Sequence, residues 1–390
     1  MKIVYVLNSG KPGGMEKHVF DLAVGMKSRG HNVFVWCPFG PIVDWFTREE
    51  IPVIPREIKS DLDVFYIKDL VTFLNIEKCD VIHAHELKAV VNSLIAASIV
   101  GTEVRVSHTH TPITEWRVGF FNKVANIAVD TFMINVFGTT EIALTDSRKR
   151  LKRAEGIREY KLQVIPNGLD TTEFKVSSKD KKTFRKDILS RFGIDNKSHV
   201  FGNISRMSKE KGHTILLRAF VNLVKNHPKK CGNCYLLLVG GGELEEELRS
   251  EVELSGCSDR IVITGVVPRE DLVKYYSAFD TFVFPTLAEG FGYVLTEAMY
   301  MELPVICSDL EVLHEVGGDC VIYFPVKNVE ELEKCMYKLF AEDDVGRNIG
   351  EKAKKRVESR FSLEKFLDEY ENLYKKLLSG YKENRMRNKK

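Results

Sequence analysis

Short apolar runs alternate with amphipathic stretches along nearly the whole chain, and this alternation limits the fold more than any other feature. A short apolar run has the length of a buried strand, whereas apolar residues at spacings of three and four mark one face of a helix. Strands separated by helices cannot pair through tight turns, so they assemble mainly parallel sheets covered by helices. The expected fold class is α/β. A first strand set is predicted at 2–7, 33–37, 81–84, 103–107, 142–145 and 164–166, and a second at 200–204, 235–239, 261–264, 281–285 and 304–307. After the first strand, Met15, Val19, Leu22, Ala23 and Met26 recur at helical spacing until Gly30 interrupts the pattern.

The chain has 390 residues, more than one hydrophobic core usually fills, so two domains are expected. With 44% hydrophobic and 29% charged residues it is read as soluble and globular, and a net charge of +2 is too balanced for wholesale nucleic-acid binding. The opening apolar run stops at Asn8, too short for an export signal. The longest apolar stretch, 89–100, is interrupted by Asn92, Ser93 and Ser98, and reads as a buried helix rather than a membrane span. Eight cysteines lack framework spacing, and the pair Cys231 and Cys234 has no second pair to complete a zinc site, so a plain loop is expected there. The chain is therefore expected to be cytoplasmic.

Between the strand sets, 175–191 carries seven basic residues against two acidic ones, which marks a domain boundary built as a solvated linker or surface helix. The last strongly helical stretch, 363–378, precedes a basic tail, 381–390, expected to lack fixed structure.

Chemistry concentrates in a few places. The stretch 282–298 reads as a strand, a glycine-containing loop and a helix, and the unpaired N–H groups at such a helix start suit a phosphate. Glu289 lies on that loop and Glu297 about two turns into the helix, so the two carboxylates reach different parts of one ligand. The competing reading is a capping loop with two solvated glutamates. In Gly202-Asn-Ile-Ser-Arg206-Met-Ser-Lys-Glu-Lys211-Gly212, two cations follow a strand end and suit a pyrophosphate. Gly10-Lys-Pro-Gly13-Gly14-Met-Glu16 lets backbone approach a ligand closely but fits neither a Walker loop nor a dinucleotide fingerprint. Gly240 to Glu243 leads into acidic residues and is read as a tight turn.

Histidines cluster at two strand ends, His83 with His85 and His108 with His110. From the alternation of strand side chains we expect only one of each pair to face a site, which favours a sugar contact or a satisfied core histidine over a metal. Asp61 and Asp63 lie in a loop away from the other signals, and no divalent metal is expected there. Residues 114–137 carry Trp116, Phe120, Phe121, Ile127 and Phe132 with Arg117 and Lys123, a pattern shared by lipid-contacting and ordinary packed helices; the packed helix is preferred. The basic run Arg148, Lys149, Arg150, Lys152 and Arg153 is a weaker candidate for docking on anionic lipid.

Taken in order, Gly13-Gly14-Met-Glu16, Asp80-Val-Ile-His83-Ala-His85, Ser107-His-Thr-His110, Val164-Ile-Pro-Asn-Gly168-Leu-Asp170, Arg206 with Lys211-Gly212, and Glu289 with Glu297 resemble the retaining glycosyltransferases of family 4 over nearly the whole chain. The resemblance implies a GT-B fold of two facing Rossmann-like domains with a cleft between them. The first would span 1–172 plus a C-terminal helix at about 362–380 and bind the acceptor; the second would span 173–361 and bind a nucleotide-sugar, with 381–390 left as the tail. It also implies that Arg206 and Lys211 neutralise the departing diphosphate with backbone N–H groups of Gly14 and of Gly290, Phe291, Gly292 and Tyr293. Glu297 would hold the ribose, Glu289 the donor sugar, and His110 the sugar or the transferred centre. Glu16, His85, His108 and Trp116 are the acceptor-side candidates, and His110 is preferred over His108 because it lies at the strand's end. The resemblance implies no cofactor and no metal, with a UDP-sugar favoured as donor substrate and a GDP-sugar as the alternative. The acceptor would be a sugar, a lipid-linked molecule or a small molecule, and the protein cytoplasmic or peripheral on the inner membrane face. Another reaction on the same fold, an epimerase or phosphorylase, and a non-catalytic nucleotide-sugar module are the competing functions.

Overall fold

The computed structural model describes residues 1–116 and 118–387, so Arg117 and residues 388–390 of the basic tail lie outside the described residues. The chain divides into two units, Met1–Gly168 with Leu363–Lys390, and Leu169–Ser362. The first break thus falls after Gly168, ahead of residue 172.

Unit 1 runs β1 (Lys2–Val6), α1 (Gly14–Ser28), β2 (Asn32–Cys37), α2 (Ile42–Arg48), β3 (Val53–Pro55), α3 (Val64–Glu77), β4 (Val81–His85), α4 (Leu87–Val100), β5 (Val104–His108), α5 (Phe120–Val136), β6 (Thr140–Ala143), α6 (Asp146–Ala154) and β7 (Leu162–Val164). Unit 2 runs α7 (Ser178–Arg191), β8 (His199–Ile204), α8 (His213–Asn226), β9 (Cys234–Val239), α9 (Glu245–Leu254), β10 (Ile261–Ile263), α10 (Leu272–Ala278), β11 (Thr281–Phe284), α11 (Tyr293–Tyr300), β12 (Val305–Ser308), α12 (Glu311–Gly317), β13 (Ile322–Phe324), α13 (Val329–Ala341) and α14 (Asp343–Arg360). The final helix, α15 (Leu363–Arg387), returns to unit 1.

Both sheets are parallel, in the orders β3-β2-β1-β4-β5-β6-β7 and β10-β9-β8-β11-β12-β13. In each, the strand order reverses beside the first strand, between β1 and β4 and between β8 and β11, and such switch points open a crevice at the carboxyl ends of the strands. Side-chain alternation along β1 explains its unbroken apolar run: Ile3, Tyr5 and Leu7 join the core under α1 and α15, while Val4 and Val6 join the core under α3 and α4. Helix α15 adds Phe366, Leu367, Tyr370, Tyr374 and Leu378 to the first of these cores. At roughly 1.5–3 kcal/mol for each large apolar side chain removed from water, these residues bind the chain's last helix to its first strands. Gly25, in the middle of α1, sits where a Cβ would collide with Leu367, so the glycine sets how closely α15 approaches.

Of the two readings offered for 175–191 the surface helix holds: Ser178–Arg191 form α7, capped by Ser177 and with only Ile188 and Leu189 buried, and Arg185 ties it into unit 2 through the Ala278 carbonyl and Asp280. Two other expectations change. Instead of lacking fixed structure, the tail continues α15 through Arg387. And α5 is not a packed core helix. Of its buried residues only Met133 and Ile134 are apolar, while Phe120 and Phe121 are 73% and 85% exposed and Phe132 is also exposed. By contrast α4 is buried along most of its length, and among the described residues no helix is long and apolar enough to cross a membrane.

Candidate functional site

In unit 2, β8 and β11 deliver two loops to the switch point. Strand β8 runs into Arg206 and then a 3-10 turn, Lys209–Lys211, and β11 runs into the loop that carries Glu289. Backbone and hydroxyl groups lock the loops together: the Leu287 N–H and the Thr286 hydroxyl both donate to the Glu210 carbonyl, at 2.6 and 3.1 Å. Gly212 turns with φ +68°, and a Cβ there would collide with the Pro285 carbonyl oxygen. Only glycine meets both conditions without strain, and it sets Lys211 beside the β11 loop.

Lys211 Nζ donates to Glu289 Oε2 at 2.8 Å, with both side chains more than four-fifths buried. Arg206 does not join this pair. Its side chain is 72% exposed and donates to Glu210 at 3.0 Å. Burial alone would raise the Glu210 carboxyl, but hydrogen bonds from Ser208 and Arg206 outweigh it and hold the group at about 2. Glu297 lies on α11 and is 1% exposed; its Oε2 accepts from the Tyr276 hydroxyl at 2.8 Å, and Arg269 approaches its Oε1 at 3.4 Å while also pairing with Glu173. Neither Glu289 nor Glu297 is a solvated capping residue. Gly290, Phe291 and Gly292 lead into α11, whose first residue is Tyr293, and Gly292 has φ +95°. The stretch 240–243 closes a turn against the Arg206 loop, with the Met207 N–H donating to the Gly241 carbonyl at 2.9 Å.

Unit 1 gathers histidines at its own switch point. His83 and His85 end β4, His108 ends β5 and His110 follows it, while His18 comes from α1. The expectation that only one histidine of each pair faces the site is overturned. Strand residues two apart share a face, and the chain has left β5 by His110, so strand alternation does not separate it from His108. The ring centroids of His83 and His85 lie 4.2 Å apart and those of His108 and His110 3.9 Å apart, stacked. His18 meets His108 and His110 edge-on, with centroids at 4.9 and 5.0 Å. Its Nδ1 donates to Asn167 Oδ1 at 2.7 Å. His83 pairs with the Tyr374 hydroxyl at 2.8 Å, and His85 Nδ1 lies 3.1 Å from His110 Nε2. Burial pushes His18 down to about 4 and the other four imidazoles well below their ordinary value, so all five are neutral.

The remaining sequence candidates scatter around this floor. Gly14 is the first residue of α1, and Glu16 is buried in its first turn. Trp116 is half-buried, its indole donating to the Thr111 carbonyl at 3.1 Å. The run 148–153 is not a free basic patch: Arg148 is buried against Glu115, and Lys152 is fully buried with its Nζ 2.5 Å from Glu141 and 4.0 Å from Asp130. Burial pushes the Asp130 carboxyl up to about 7, against the attraction of Lys152.

The sequence matches two family models, one described as Glycosyltransferase Family 4 over residues 12–173 and one as Glycosyl transferases group 1 over residues 184–356. The chain belongs to glycosyltransferase family 4. It is 25% identical to the capsular polysaccharide biosynthesis glycosyltransferase CapM of Staphylococcus aureus over 90% of this chain and 92% of that protein. It is 23% identical to an Escherichia coli UDP-Gal:alpha-D-GlcNAc-diphosphoundecaprenol alpha-1,3-galactosyltransferase, over 86% of each. To an uncharacterized glycosyltransferase of Methanocaldococcus jannaschii it is 29% identical, over 56% of this chain and about half, 54%, of that protein. Among solved structures, Anabaena HepE in complex with UDP and glucose superposes with a TM-score of 0.82 at 22% identity, covering 96% of this chain and 99% of that one. This family 4 glycosyltransferase thus has the two-domain, Rossmann-like GT-B fold.

Sequence reasoning missed several residues of the glycosyltransferase. His18 and Asn167 complete the histidine floor; His18 lies on the same stripe as Met15 and Leu22, and that spacing was the available signal. Tyr276, Arg269 and Glu173 surround Glu297, and nothing in their local sequence marks them.

Proposed function

We propose that this chain is a retaining, metal-independent hexosyltransferase that moves a sugar from a nucleotide-sugar, a UDP-sugar by preference, to a hydroxyl acceptor in cell-surface polysaccharide or glycoconjugate synthesis. The observation that carries this reading is the Lys211–Glu289 pair at the β8/β11 switch point. When the anomeric bond breaks, negative charge develops on the diphosphate, and a cation already fixed at a loop end stabilises that charge without reorganising. Lys211 takes this role in our reading, with Arg206 swinging from Glu210 to join it and the N–H groups at Gly290 to Tyr293 and Gly14 assisting. Glu289, released from Lys211 by the incoming diphosphate, holds the hydroxyls of the donor sugar. Glu297, oriented by Tyr276 and Arg269, holds the ribose.

Unit 2 is thereby the donor side and unit 1 the acceptor side, with His110 contacting the sugar and Glu16, His85, His108 and Trp116 available to the acceptor. The UDP named for HepE and the UDP-sugar and diphosphoundecaprenol named for the Escherichia coli enzyme support a UDP-sugar donor and a lipid-linked acceptor. The exposed Phe120, Phe121 and Phe132 of α5, with Lys123 beside them, support peripheral contact of a cytoplasmic protein with the inner membrane face.

The test is Glu289→Ala with a panel of UDP-, GDP- and ADP-sugars. Transfer should be abolished while UDP still raises the melting temperature, with and without EDTA. Transfer that survives overturns the role of Glu289, and a shift with GDP alone moves the donor to a GDP-sugar.

A further inference from the structure

We propose that Glu86 is the carboxyl by which unit 1 recognises its acceptor, and that it selects a neutral, hydroxyl-bearing sugar over an acidic or phosphorylated one. The proposal rests on unit 1 being the acceptor side and adds to that reading a residue and a substrate class.

Backbone geometry singles the residue out. Glu86 is the first residue beyond β4, at the switch point, and it precedes α4 with φ +71° and ψ 152°. That corner of backbone space is almost confined to glycine, and a residue with a side chain occupies it only at a cost in stability. Lys78, by contrast, closes α3 in the ordinary left-handed turn at φ +53° and ψ 55°. Backbone bonds alone fix the turn at Glu86: its N–H donates to the His108 carbonyl at 3.1 Å, and its carbonyl accepts from the Val90 N–H at 2.9 Å. Glycine would make both bonds without strain, so the carboxyl is what the strained turn holds in place.

The carboxyl is not spent on the fold. It does not cap α4, and among the described residues no side chain hydrogen-bonds or ion-pairs with it; its contact is the backbone N–H of His110. Its surroundings decide what it accepts. Burial pushes it up to about 7 against the attraction of Lys152 on α6, and Glu16 of α1 and Glu141 of β6 push it the same way. Lys152 is already held by Glu141, and the neighbouring imidazoles of His85 and His110 are neutral. A phosphate or carboxylate arriving here meets like charge with the nearest cation engaged, which disfavours it. A sugar hydroxyl only has to donate to the carboxyl, and a hydrogen bond to a charged oxygen is among the stronger ones.

The test compares full-length wild type with Glu86→Gln and Glu86→Gly, using the nucleotide-sugar that the donor panel identifies and, as acceptors, p-nitrophenyl glycosides of neutral hexoses, of hexuronic acids and of hexose 6-phosphates. Wild type should transfer to the neutral glycosides. Glu86→Gln should lower kcat/KM for them by about 10–100-fold while UDP still raises the melting temperature as in wild type. The wild-type value should rise as pH passes through 7 and the Glu86→Gln value should not. Glu86→Gly needs no acceptor: it removes both the strain and a carboxyl raised above its ordinary value, so its denaturant midpoint should exceed that of wild type, and by more at pH 8 than at pH 5. Preference for acidic or phosphorylated glycosides, transfer to none of the three sets, unchanged kcat/KM in Glu86→Gln, or a lowered midpoint in Glu86→Gly each overturns the assignment. A wild type that moves no sugar and that UDP does not stabilise is instead the failure of the transferase reading, and the assignment falls with it.

Discussion

The two switch points place polar groups in opposite ways. In unit 2 a charged pair, Lys211 and Glu289, sits on loops tied by backbone hydrogen bonds and one left-handed glycine. In unit 1 the polar groups sit beneath the surface, as neutral imidazoles and as a sealed cluster of Lys152, Glu141 and Asp130. Loop-borne charges can change partners when a charged ligand arrives, whereas buried ones are committed to the fold. The sealed cluster of unit 1 therefore serves stability, whereas the loop-borne pair of unit 2 is placed to change partners.

Substitutions can break that contrast, and the largest effect is expected in unit 1. Lys152→Met leaves Glu141 buried without its cation and should destabilise the unit by about 3–5 kcal/mol, read as a lowered denaturant midpoint. An unchanged midpoint would remove the structural half of the comparison. Gly212→Ala comes next: the side chain meets the Pro285 carbonyl at a left-handed backbone, which should weaken unit 2 by roughly 1–3 kcal/mol and lower transfer along with it. Asp130→Asn sharpens the contrast through pH. An acid raised to about 7 in the fold, above its ordinary value, adds stability that is complete below the unfolded value and is lost as pH rises through 7. The wild type should therefore lose about 2–3 kcal/mol more than Asp130→Asn between pH 5 and 8, measured by thermal unfolding across that range. Arg206→Ala should be the mildest for stability, within about 0.5 kcal/mol, because the side chain is largely exposed.

The same contrast explains what could be read from the chain beforehand. Central strands such as β1 and β9 announce themselves because burial on both faces demands a nearly unbroken apolar run. The strands β3 and β13 were not anticipated. Both are three-residue edge strands, and β3 ends in Pro55, so neither needs such a run. The loop chemistry of unit 2 was legible because Lys211-Gly212 and the Glu289 loop are local patterns. The histidine floor was half legible. His85, His108 and His110 stand close in sequence order, but His18 and Asn167 reach them only through the packing of α1 and the chain after β7. Misreading α5 had a different cause: periodic aromatics identify a helix, and only tertiary contacts say whether its apolar face is covered.

The position of α15 bears on how the molecule is made. Phe366, Leu367, Tyr370 and Tyr374 fill a core whose other members come from the first strands of the chain. A growing polypeptide therefore carries an incomplete first unit throughout synthesis, while unit 2, drawn from one continuous segment, has all its parts earlier. Order of folding on the ribosome should run against order of synthesis, with the middle of the chain settling before its beginning, in contrast to the usual N-terminal-first sequence.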